Sequence, residues 1–220
     1  MSIKAVFFDL DGTLLDTAPD FLVTMHQLTD EYNVPRLSDE KIRQTVSDGA
    51  RALTTLAFEL TEKEEGFEER RQRLLAIYSQ HMGKHCALFD GMGTLLEQIK
   101  NQQLFWGIIT NKPYRFSESI VDELNLPNRP NLLICPDHVN KTKPNAEPLI
   151  LACNKVGCKP EEAIYIGDHK RDIDCGINAG SKTIAVSFGY IHEADNIEEW
   201  QADHIVNHAN DIWPIINNYL

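Results

Sequence analysis

The chain has 220 residues, of which 42% are hydrophobic and 25% are charged. This composition is typical of a globular protein large enough for one domain, or for one domain with a smaller one inserted. With 21 basic and 33 acidic residues, the formal net charge is −12. That charge argues against a nucleic acid or an anionic membrane surface as the main partner, because both need a basic face.

The cysteines and the apolar runs indicate the compartment. The five cysteines are Cys86, Cys135, Cys153, Cys158 and Cys175. They form no CxxC pair and their number is odd, so we expect small core side chains in a reducing environment. No segment approaches the ~20 apolar residues of a membrane span, and an aspartate at position 9 comes too early for a signal-peptide core. We therefore expect a cytoplasmic protein, monomeric or homodimeric, without membrane or nucleic-acid partners.

Six short β-rich runs follow one another along the chain. They cover residues 3–8, 104–110, 132–135, 163–167, 182–187 and 203–206. Most are nearly continuous apolar stretches, as expected of strands buried on both faces. Helical patterns separate the later runs, over 90–102, 114–125, 146–157 and 171–180. Strand and helix in alternation predict the α/β class, with a Rossmann-like parallel sheet and right-handed crossovers.

A long helical stretch interrupts this alternation. From Asp16 to about Phe89 there is no strand signal, and helical patterns cover residues 19–34, 38–60 and 66–82. More than seventy residues are too many for a simple crossover. We therefore predict an inserted helical domain over 16–87, with hinges near 14–18 and 84–90. Residues 1–15 and 88–220 would form the α/β core.

Polar residues follow four of the predicted strands. They are Asp9, Asp11, Gly12 and Thr13 after the first strand; Thr110, Asn111 and Lys112 after the second; Lys141 and Lys143 beyond the third; and Gly167, Asp168 and Asp172 after the fourth. In an open parallel sheet, ligands bind beyond the carboxyl ends of the strands. We therefore expect these side chains to converge on one rim.

Four motifs carry a family resemblance. The stretches "DLDGTLLDT", "IITNKP", "KTKP" and "GDHKRDID", in that order and spacing, resemble the four motifs of the haloacid dehalogenase superfamily of phosphohydrolases. The helical insert resembles the helical cap of that superfamily. Within it, the chain resembles the phosphoglycolate phosphatase group. Stretches such as "GARAL", "TNKPYRF" and "LLICPDHV" resemble the bacterial N-acetylmuramic acid 6-phosphate phosphatase branch of that group.

The resemblance implies a Mg²⁺-dependent phosphomonoester hydrolase with two catalytic aspartates. Asp9 would attack phosphorus and form an aspartyl phosphate, and Asp11 would act as general acid and then as general base. The substrate would be a small carboxylate-bearing phosphate ester, either N-acetylmuramic acid 6-phosphate or 2-phosphoglycolate. Elementary electrostatics agrees, because a phosphate dianion that approaches a carboxylate needs cations to neutralise the site.

The same resemblance assigns ligands to the metal and to the phosphate. Mg²⁺ prefers hard oxygen ligands, here Asp9, the backbone carbonyl of Asp11, and Asp168, with Asp172 in support. A helix-capping role is the alternative for Asp172. The phosphate-contacting residues would be Thr13, Thr110, the Asn111 amide and Lys143. Lys143 is preferred to Lys141 because Pro144 follows it, as in the family motif.

Specificity is expected to come from the helical insert. The stretch "SDGARAL" (47–53) contains Gly49 and Arg51, which we predict to bind substrate. The guanidinium fork of Arg51 suits a carboxylate; the alternative is an ordinary exposed helix residue. The small residues at 49, 50 and 52 favour the bulkier sugar ester. His169 is interpreted as a surface residue, Asp16 and Thr17 as helix-capping residues, and His192 is assigned no role.

Three other functions share part of this pattern. A sugar-phosphate phosphomutase would use the same residues. A haloacid dehalogenase would need neither Asp11 nor the metal. A non-enzymatic receiver module also places Asp, Thr and Lys around Mg²⁺, but it lacks both the "DLDGT" start and the helical insert.

Overall fold

The computed structural model describes residues 2–124 and 126–220. In chain order, the strands of this part are β1 Ala5–Phe8, β2 Leu15–Asp16, β3 Ala87–Leu88, β4 Phe105–Ile109, β5 Leu132–Ile134, β6 Ala163–Gly167, β7 Lys182–Val186 and β8 His204–Val206. The α-helices are α1 Ala18–Glu31, α2 Asp39–Thr45, α3 Gly49–Phe58, α4 Phe67–His81, α5 Met92–Asn101, α6 Tyr114–Glu123, α7 Glu147–Val156, α8 Lys170–Ala179 and α9 Ile212–Asn217. The predicted helical pattern over 114–125 ends at a residue outside the described part.

Six strands form one parallel sheet in the order β5-β4-β1-β6-β7-β8. The chain runs outward from β1 through β4 and β5, then returns to the other side of β1 at β6. The strand order therefore reverses between β1 and β6, which is where ligands bind in open α/β sheets. The predicted α/β class with a parallel sheet is confirmed.

Apolar residues cover both faces of the sheet. Along β1, Val6 and Phe8 pack into a cluster with residues of α5 and α9. Ala5 and Phe7 point the other way and pack into a cluster with residues of α7. Because successive side chains in a strand alternate between faces, a strand covered on both sides must be apolar throughout. This explains the continuous apolar runs in the sequence.

Helices α1 to α4 form a four-helix segment (residues 18–81) with an apolar cluster of its own. The rings of Phe21 in α1 and Tyr78 in α4 stack at the centre, with centroids 4.2 Å apart. Phe116 of α6 also joins this cluster and lies edge-on to Tyr78 at 5.6 Å. The four-helix segment therefore packs directly against the residues that follow β4.

A two-stranded antiparallel ribbon joins the four-helix segment to the rest of the chain. Leu15 pairs with Leu88 and Asp16 with Ala87. The expectation that no strand occurs between Asp16 and about Phe89 is wrong at both ends of that interval. Each strand has two residues, which is too few for the alternation that identifies a strand in sequence.

The helical pattern predicted over 38–60 is divided into two helices. A 3-10 turn at Val46–Asp48 separates α2 from α3, and Gly49 has φ +80°. A left-handed φ is adopted readily by glycine and rarely by other residues, so the break depends on Gly49. It directs Ser47 and Asp48 towards the carboxyl ends of the strands.

Two predictions on cysteines and membrane spans concern the whole fold. All five thiols are free, and four of them are buried, as expected of core residues. Within residues 2–124 and 126–220, no helix combines the length and the apolarity that crossing a bilayer requires.

Asp20 fixes the second connection to the four-helix segment. Its buried carboxylate accepts hydrogen bonds from the backbone N–H groups of Gly83 and His85, at 2.7 and 2.8 Å. These contacts hold the chain between α4 and β3 against α1. Removing the carboxylate would leave two backbone donors without their partner.

We expect Asp20→Ala to lower the free energy of unfolding by about 2–4 kcal/mol, because hydrogen bonds to charged groups contribute about 1.5–3 kcal/mol each. Asp30→Ala is the matched control in the same helix. Its exposed ion pair with Arg36 should contribute less than about 1 kcal/mol. Chemical denaturation of the two variants makes the comparison, and equal losses would contradict the role of Asp20.

Candidate active site

A cavity of about 620 Å³ lies between the carboxyl ends of the strands and the four-helix segment. From the strand ends it is lined by Asp9, Asp11, Thr110, Asn111, Lys112 and Lys143. From the four-helix segment and its connections it is lined by Ser47, Asp48, Gly49, Arg51, Arg71 and Tyr78, among others. The structure therefore brings the polar strand ends together on one rim, as the sequence predicts.

Lys143 stands between two carboxylates. Its ammonium lies 2.8 Å from Asp9 Oδ1 and 2.6 Å from Asp172 Oδ1, and it donates to the backbone oxygen of Ile109 at 3.0 Å. Burial lowers the pKa of Lys143, but Asp172 and Asp9 outweigh it, and the pKa lies above that of a free lysine. A charged Lys143 therefore compensates two buried acids at once.

Asp9 keeps one oxygen open. Its Oδ1 accepts hydrogen bonds from the backbone of Leu10 at 2.7 Å and from Lys143. Its Oδ2 has no hydrogen-bond partner among residues 2–124 and 126–220. Burial and the nearby Asp172 raise the pKa of Asp9, and Lys143 opposes them. The open oxygen belongs to a side chain that lines the cavity, so it can meet an electrophile.

Asp168 is fixed by neighbours on both oxygens. Thr13 donates its hydroxyl to Oδ1 at 2.9 Å, and the backbone N–H of Tyr190 donates to Oδ2 at 2.8 Å. Gly12, at φ +81°, brings the backbone so close that a Cβ there would lie 2.1 Å from Oδ2. Thr13 is fully buried and its hydroxyl binds Asp168; its contact with substrate stays a prediction.

Three carboxylates meet at a spacing that suits a cation. One oxygen each of Asp9, Asp168 and Asp172 lies within 4.8 Å of the others, and all three residues are buried. Burial, with repulsion from Asp9 and Asp172, raises the pKa of Asp168 to about 8. Lys143 supplies a single positive charge against three acids, so the donor set fits a divalent, oxygen-preferring ion.

Asp172 caps a helix and lies in the carboxylate cluster, and its support of a metal stays a prediction. Its Oδ2 accepts the backbone N–H of His169 at 3.1 Å, which caps the start of α8. Its Oδ1 faces Lys143 at 2.6 Å and accepts a long bond of 3.4 Å from the Tyr165 hydroxyl. The side chain therefore caps the start of α8 and also belongs to the carboxylate cluster.

Asp11 has a different set of neighbours. Its Oδ1 accepts the Thr17 hydroxyl at 2.5 Å and lies 2.9 Å from the ammonium of Lys112. The prediction that Thr17 caps a helix is wrong, because it precedes α1 without a side-chain capping bond. The same prediction for Asp16 is also wrong. Its carboxylate pairs with Arg43 at 2.7 Å and accepts a hydrogen bond from the Tyr190 hydroxyl at 2.7 Å.

Thr110 and Asn111 lie at the end of β4. The Thr110 hydroxyl accepts the backbone N–H of Lys112 at 3.1 Å and remains beside the cavity. The Asn111 side chain exchanges two 3.2 Å hydrogen bonds with the backbone of Lys143. It thereby holds the loop that carries Lys143, and its backbone N–H has no partner among the described residues.

The turn before α3 contacts residues that follow β6 and β7. Asp48 lies 2.8 Å from His192 and 3.7 Å from His169, and these two histidines with Arg171 hold its pKa at about 2. Arg171 donates to the backbone oxygen of Ser47 at 2.6 Å. His169 also caps α8 by accepting the backbone N–H of Arg171. Both histidines therefore face the four-helix segment, which the sequence did not indicate.

Gly49 and Arg51 line the cavity, and their contact with substrate stays a prediction. Arg51 is mostly exposed, however, and is ion-paired with Glu62. Arg115 also lines the cavity and, within residues 2–124 and 126–220, has no carboxylate partner; its guanidinium packs on the ring of Phe116 at 4.4 Å. Sequence reasoning missed Arg115 and the contacts of Lys112, although both belong to the stretch "TNKPYRF".

Comparison with known proteins agrees with this geometry. The family model of haloacid dehalogenase-like hydrolases matches residues 6–186. The chain belongs to the haloacid dehalogenase-like hydrolase family. It is 44% identical to an N-acetylmuramic acid 6-phosphate phosphatase of Pseudomonas putida, over 100% of this chain and 99% of the relative. It is 34% identical to a phosphoglycolate phosphatase of Xanthomonas campestris, over 96% of this chain and 95% of the relative.

Solved structures show the same fold. A crystal structure of a predicted phosphoglycolate phosphatase from Haemophilus somnus superposes with a TM-score of 0.87 at 23% identity, over 98% of each chain. The family resemblance, the Rossmann-like fold and the phosphatase class predicted from the sequence are confirmed.

Asp168 should make the stability of this family member depend on pH when divalent cations are chelated. Its folded pKa of about 8 exceeds the unfolded value of about 3.9, so folding favours the protonated form. The contribution is complete below about pH 4 and is lost as the pH rises towards about 8. In EDTA, the melting temperature should therefore fall between about pH 5 and about pH 8.

Asp168→Asn should flatten this dependence, and Mg²⁺ should raise the melting temperature of the wild type at the upper pH but not that of the variant. Asp174→Asn is the matched control, because Asp174 lies on the outer side of α8 in an ion pair with Lys170. A variant that keeps the full wild-type slope would refute the assignment to Asp168.

Proposed function

We propose that the protein is a Mg²⁺-dependent phosphomonoesterase that acts through an aspartyl phosphate on a small carboxylate-bearing phosphate ester. The observation that carries this proposal is the arrangement of Asp9. It lies at the switch point of the sheet, with one oxygen held by Leu10 and Lys143 and the other open beside the cavity. The similarity to two named phosphatases supports it.

The proposed reaction has two displacements at phosphorus. Asp9 attacks phosphorus while Asp11 protonates the leaving oxygen, and the ester bond breaks. Asp11 then removes a proton from water, which attacks phosphorus and releases phosphate from Asp9. Lys143, the Thr110 hydroxyl and the backbone N–H of Asn111 would stabilise the charge on the phosphoryl oxygens.

Asp9, Asp168 and the backbone carbonyl of Asp11 would hold Mg²⁺, with Asp172 behind them. The ion, when bound, would neutralise charge on the phosphoryl group. Gly12 and Thr13 keep Asp168 in place for this role, through close backbone approach and a hydrogen bond.

We propose that residues 16–87 act as a cap domain over a core formed by 1–15 and 88–220. The β2–β3 ribbon would carry both connections between cap and core. Within the cap, the bonds from Asp20 would hold the chain after α4 against α1. The cap would exclude water from the cavity and present Gly49 and Arg51 to the substrate.

The nucleophile is tested with Asp9→Asn. Phosphate release from 4-nitrophenyl phosphate should fall by a factor of about 10⁴ or more, because loss of a catalytic group that acts as a unit with others costs several powers of ten. Circular dichroism should show an intact fold. Wild-type release should stop in EDTA and resume with Mg²⁺. A D9N variant that keeps more than about 1% of the activity would rule out Asp9 as the nucleophile.

We propose N-acetylmuramic acid 6-phosphate as the substrate in preference to 2-phosphoglycolate. The cavity of about 620 Å³ lies in the range of ~300–1,000 Å³ that suits drug-sized ligands, whereas a two-carbon acid would leave most of it empty. Arg51 and Arg115 line it, and either guanidinium can bind a carboxylate. The relative at 44% identity bears the name of this activity.

The ratio of kcat/KM for the two esters decides the substrate, because it measures differential transition-state binding. We expect at least a roughly tenfold preference for the sugar ester. Arg115→Ala should lower kcat/KM on the sugar ester by about 10- to 100-fold, the loss expected for a hydrogen-bonded charge of about 1.5–3 kcal/mol.

Arg51→Ala should lower kcat/KM on the sugar ester by a smaller factor, because the Arg51 guanidinium is already ion-paired with Glu62. Both variants should spare 4-nitrophenyl phosphate. Arg129→Ala, an exposed ion-pair residue elsewhere, is the control. A tenfold preference for 2-phosphoglycolate, or equal losses on all esters, would overturn this specificity.

A further inference from the structure

Lys112 is a buried lysine that the proposed reaction does not use. It follows Thr110 and Asn111 at the end of β4, and its side chain is 7% exposed. Its ammonium lies 2.9 Å from Asp11 Oδ1. The rings of Phe21 and Tyr78 cover it from the four-helix segment, with their centroids 5.1 and 4.9 Å from Nζ.

The neighbours of Asp11 distinguish its two oxygens. Both donors, the Thr17 hydroxyl and the Lys112 ammonium, point at Oδ1. Oδ2 has no hydrogen-bond partner in the described parts of the chain, and Asp11 lines the cavity. An ammonium has three donors and no acceptor, so a proton on Oδ1 would face a hydrogen of Lys112. A proton on Oδ2 meets no such donor.

We propose that Lys112 is a positioning residue, which holds Asp11 so that Oδ2 carries the proton exchanged with substrate and water. This inference rests on the proposed function. In the first step, Asp9 forms a bond to phosphorus and the bond between phosphorus and the leaving oxygen breaks. The proton moves from Oδ2 of Asp11 to that leaving oxygen. In the second step, Oδ2 takes a proton from water as the water oxygen bonds to phosphorus and Asp9 is released.

The aromatic cover explains why this contact can be strong. An ion pair shielded from water has a higher effective interaction energy than an exposed one, and aromatic faces attract an ammonium. Phe21 and Tyr78 both belong to the four-helix segment, so the orientation of Asp11 depends on the packing of that segment on the end of β4. Lys112 thereby couples the acid/base residue to the cover of the cavity.

The test compares leaving groups. Lys112→Met keeps most of the length of the side chain and removes its charge. Substituted aryl phosphates, from strongly to weakly acidic leaving groups, need increasing protonation of the leaving oxygen. We expect kcat/KM of K112M to fall at least about tenfold further at the weakly acidic end, since general acid catalysis contributes about 10²–10⁴-fold. Lys112→Arg should restore part of this difference.

Two further variants separate positioning from a structural role. Thr17→Val removes the other donor to Oδ1 and should steepen the leaving-group dependence in the same direction. In an Asp11→Asn background, K112M should change that dependence no further. Lys155→Met, an exposed lysine of α7, is the control. Equal losses of K112M across the series, or a full additional effect in the D11N background, would overturn the proposal.

The orientation of the Asp11 carboxylate can be determined without measuring activity. Crystal structures of the wild type and K112M should show the Asp11 carboxylate turned away from its wild-type orientation in the variant. An unchanged carboxylate would overturn the positioning role even if the variant were slow. A wild type that hydrolyses none of the aryl esters would refute the proposed function instead, and the crystal structures would still decide the orientation of Asp11.

Discussion

The site depends on burying three carboxylates around one ammonium. Asp9, Asp168 and Asp172 lie within 4.8 Å of one another, and Lys143 contacts two of them. Removing such charges from water costs several kcal/mol per ion unless hydrogen bonds and counter-charges compensate. The fold supplies these from the backbone of Leu10, His169 and Tyr190. Compensation is incomplete, as the raised pKa of Asp168 indicates, and the proposed divalent cation would neutralise the remaining negative charge.

The sheet makes this arrangement possible. Because β1 pairs with β6 on one side and β4 on the other, the residues that follow these three strands come together without any long-range loop. The chain carries a net charge of −12, yet the walls of the cavity contribute arginines and lysines from several elements. An anionic substrate therefore meets local positive charge inside an acidic protein. Charge at the site is set by the placement of a few side chains, and the overall composition gives no indication of it.

Much of the fold, and the convergence of polar strand ends at the candidate site, was predictable from the sequence. Strands buried on both faces leave continuous apolar runs, and Asp9, Asp168 and Lys143 follow such runs directly or lie in a short motif. Contacts made across the chain left no such signal. Thr17 precedes a helix and so resembles a cap, but its hydroxyl reaches Asp11. His169 and His192 are separated from Asp48 by more than a hundred residues, and only the packing of the four-helix segment brings them together. The β2–β3 ribbon is too short for its pattern to be recognised.

The two halves of the cavity differ in how tightly their residues are constrained. Asp9, Asp168 and Lys143 are buried, and each is engaged by several partners, so a change at any one leaves a charge without compensation. Arg51 and Arg115 are exposed, and each makes few contacts. Under the proposed function, a substitution there would change what the cavity binds at little cost in stability. Under the proposed function, specificity can vary on the exposed wall while the buried centre stays fixed. Such a division agrees with the existence of relatives named for a sugar phosphate and for phosphoglycolate. Lys112 joins the two halves, because it contacts Asp11 on one side and the aromatic rings of the four-helix segment on the other.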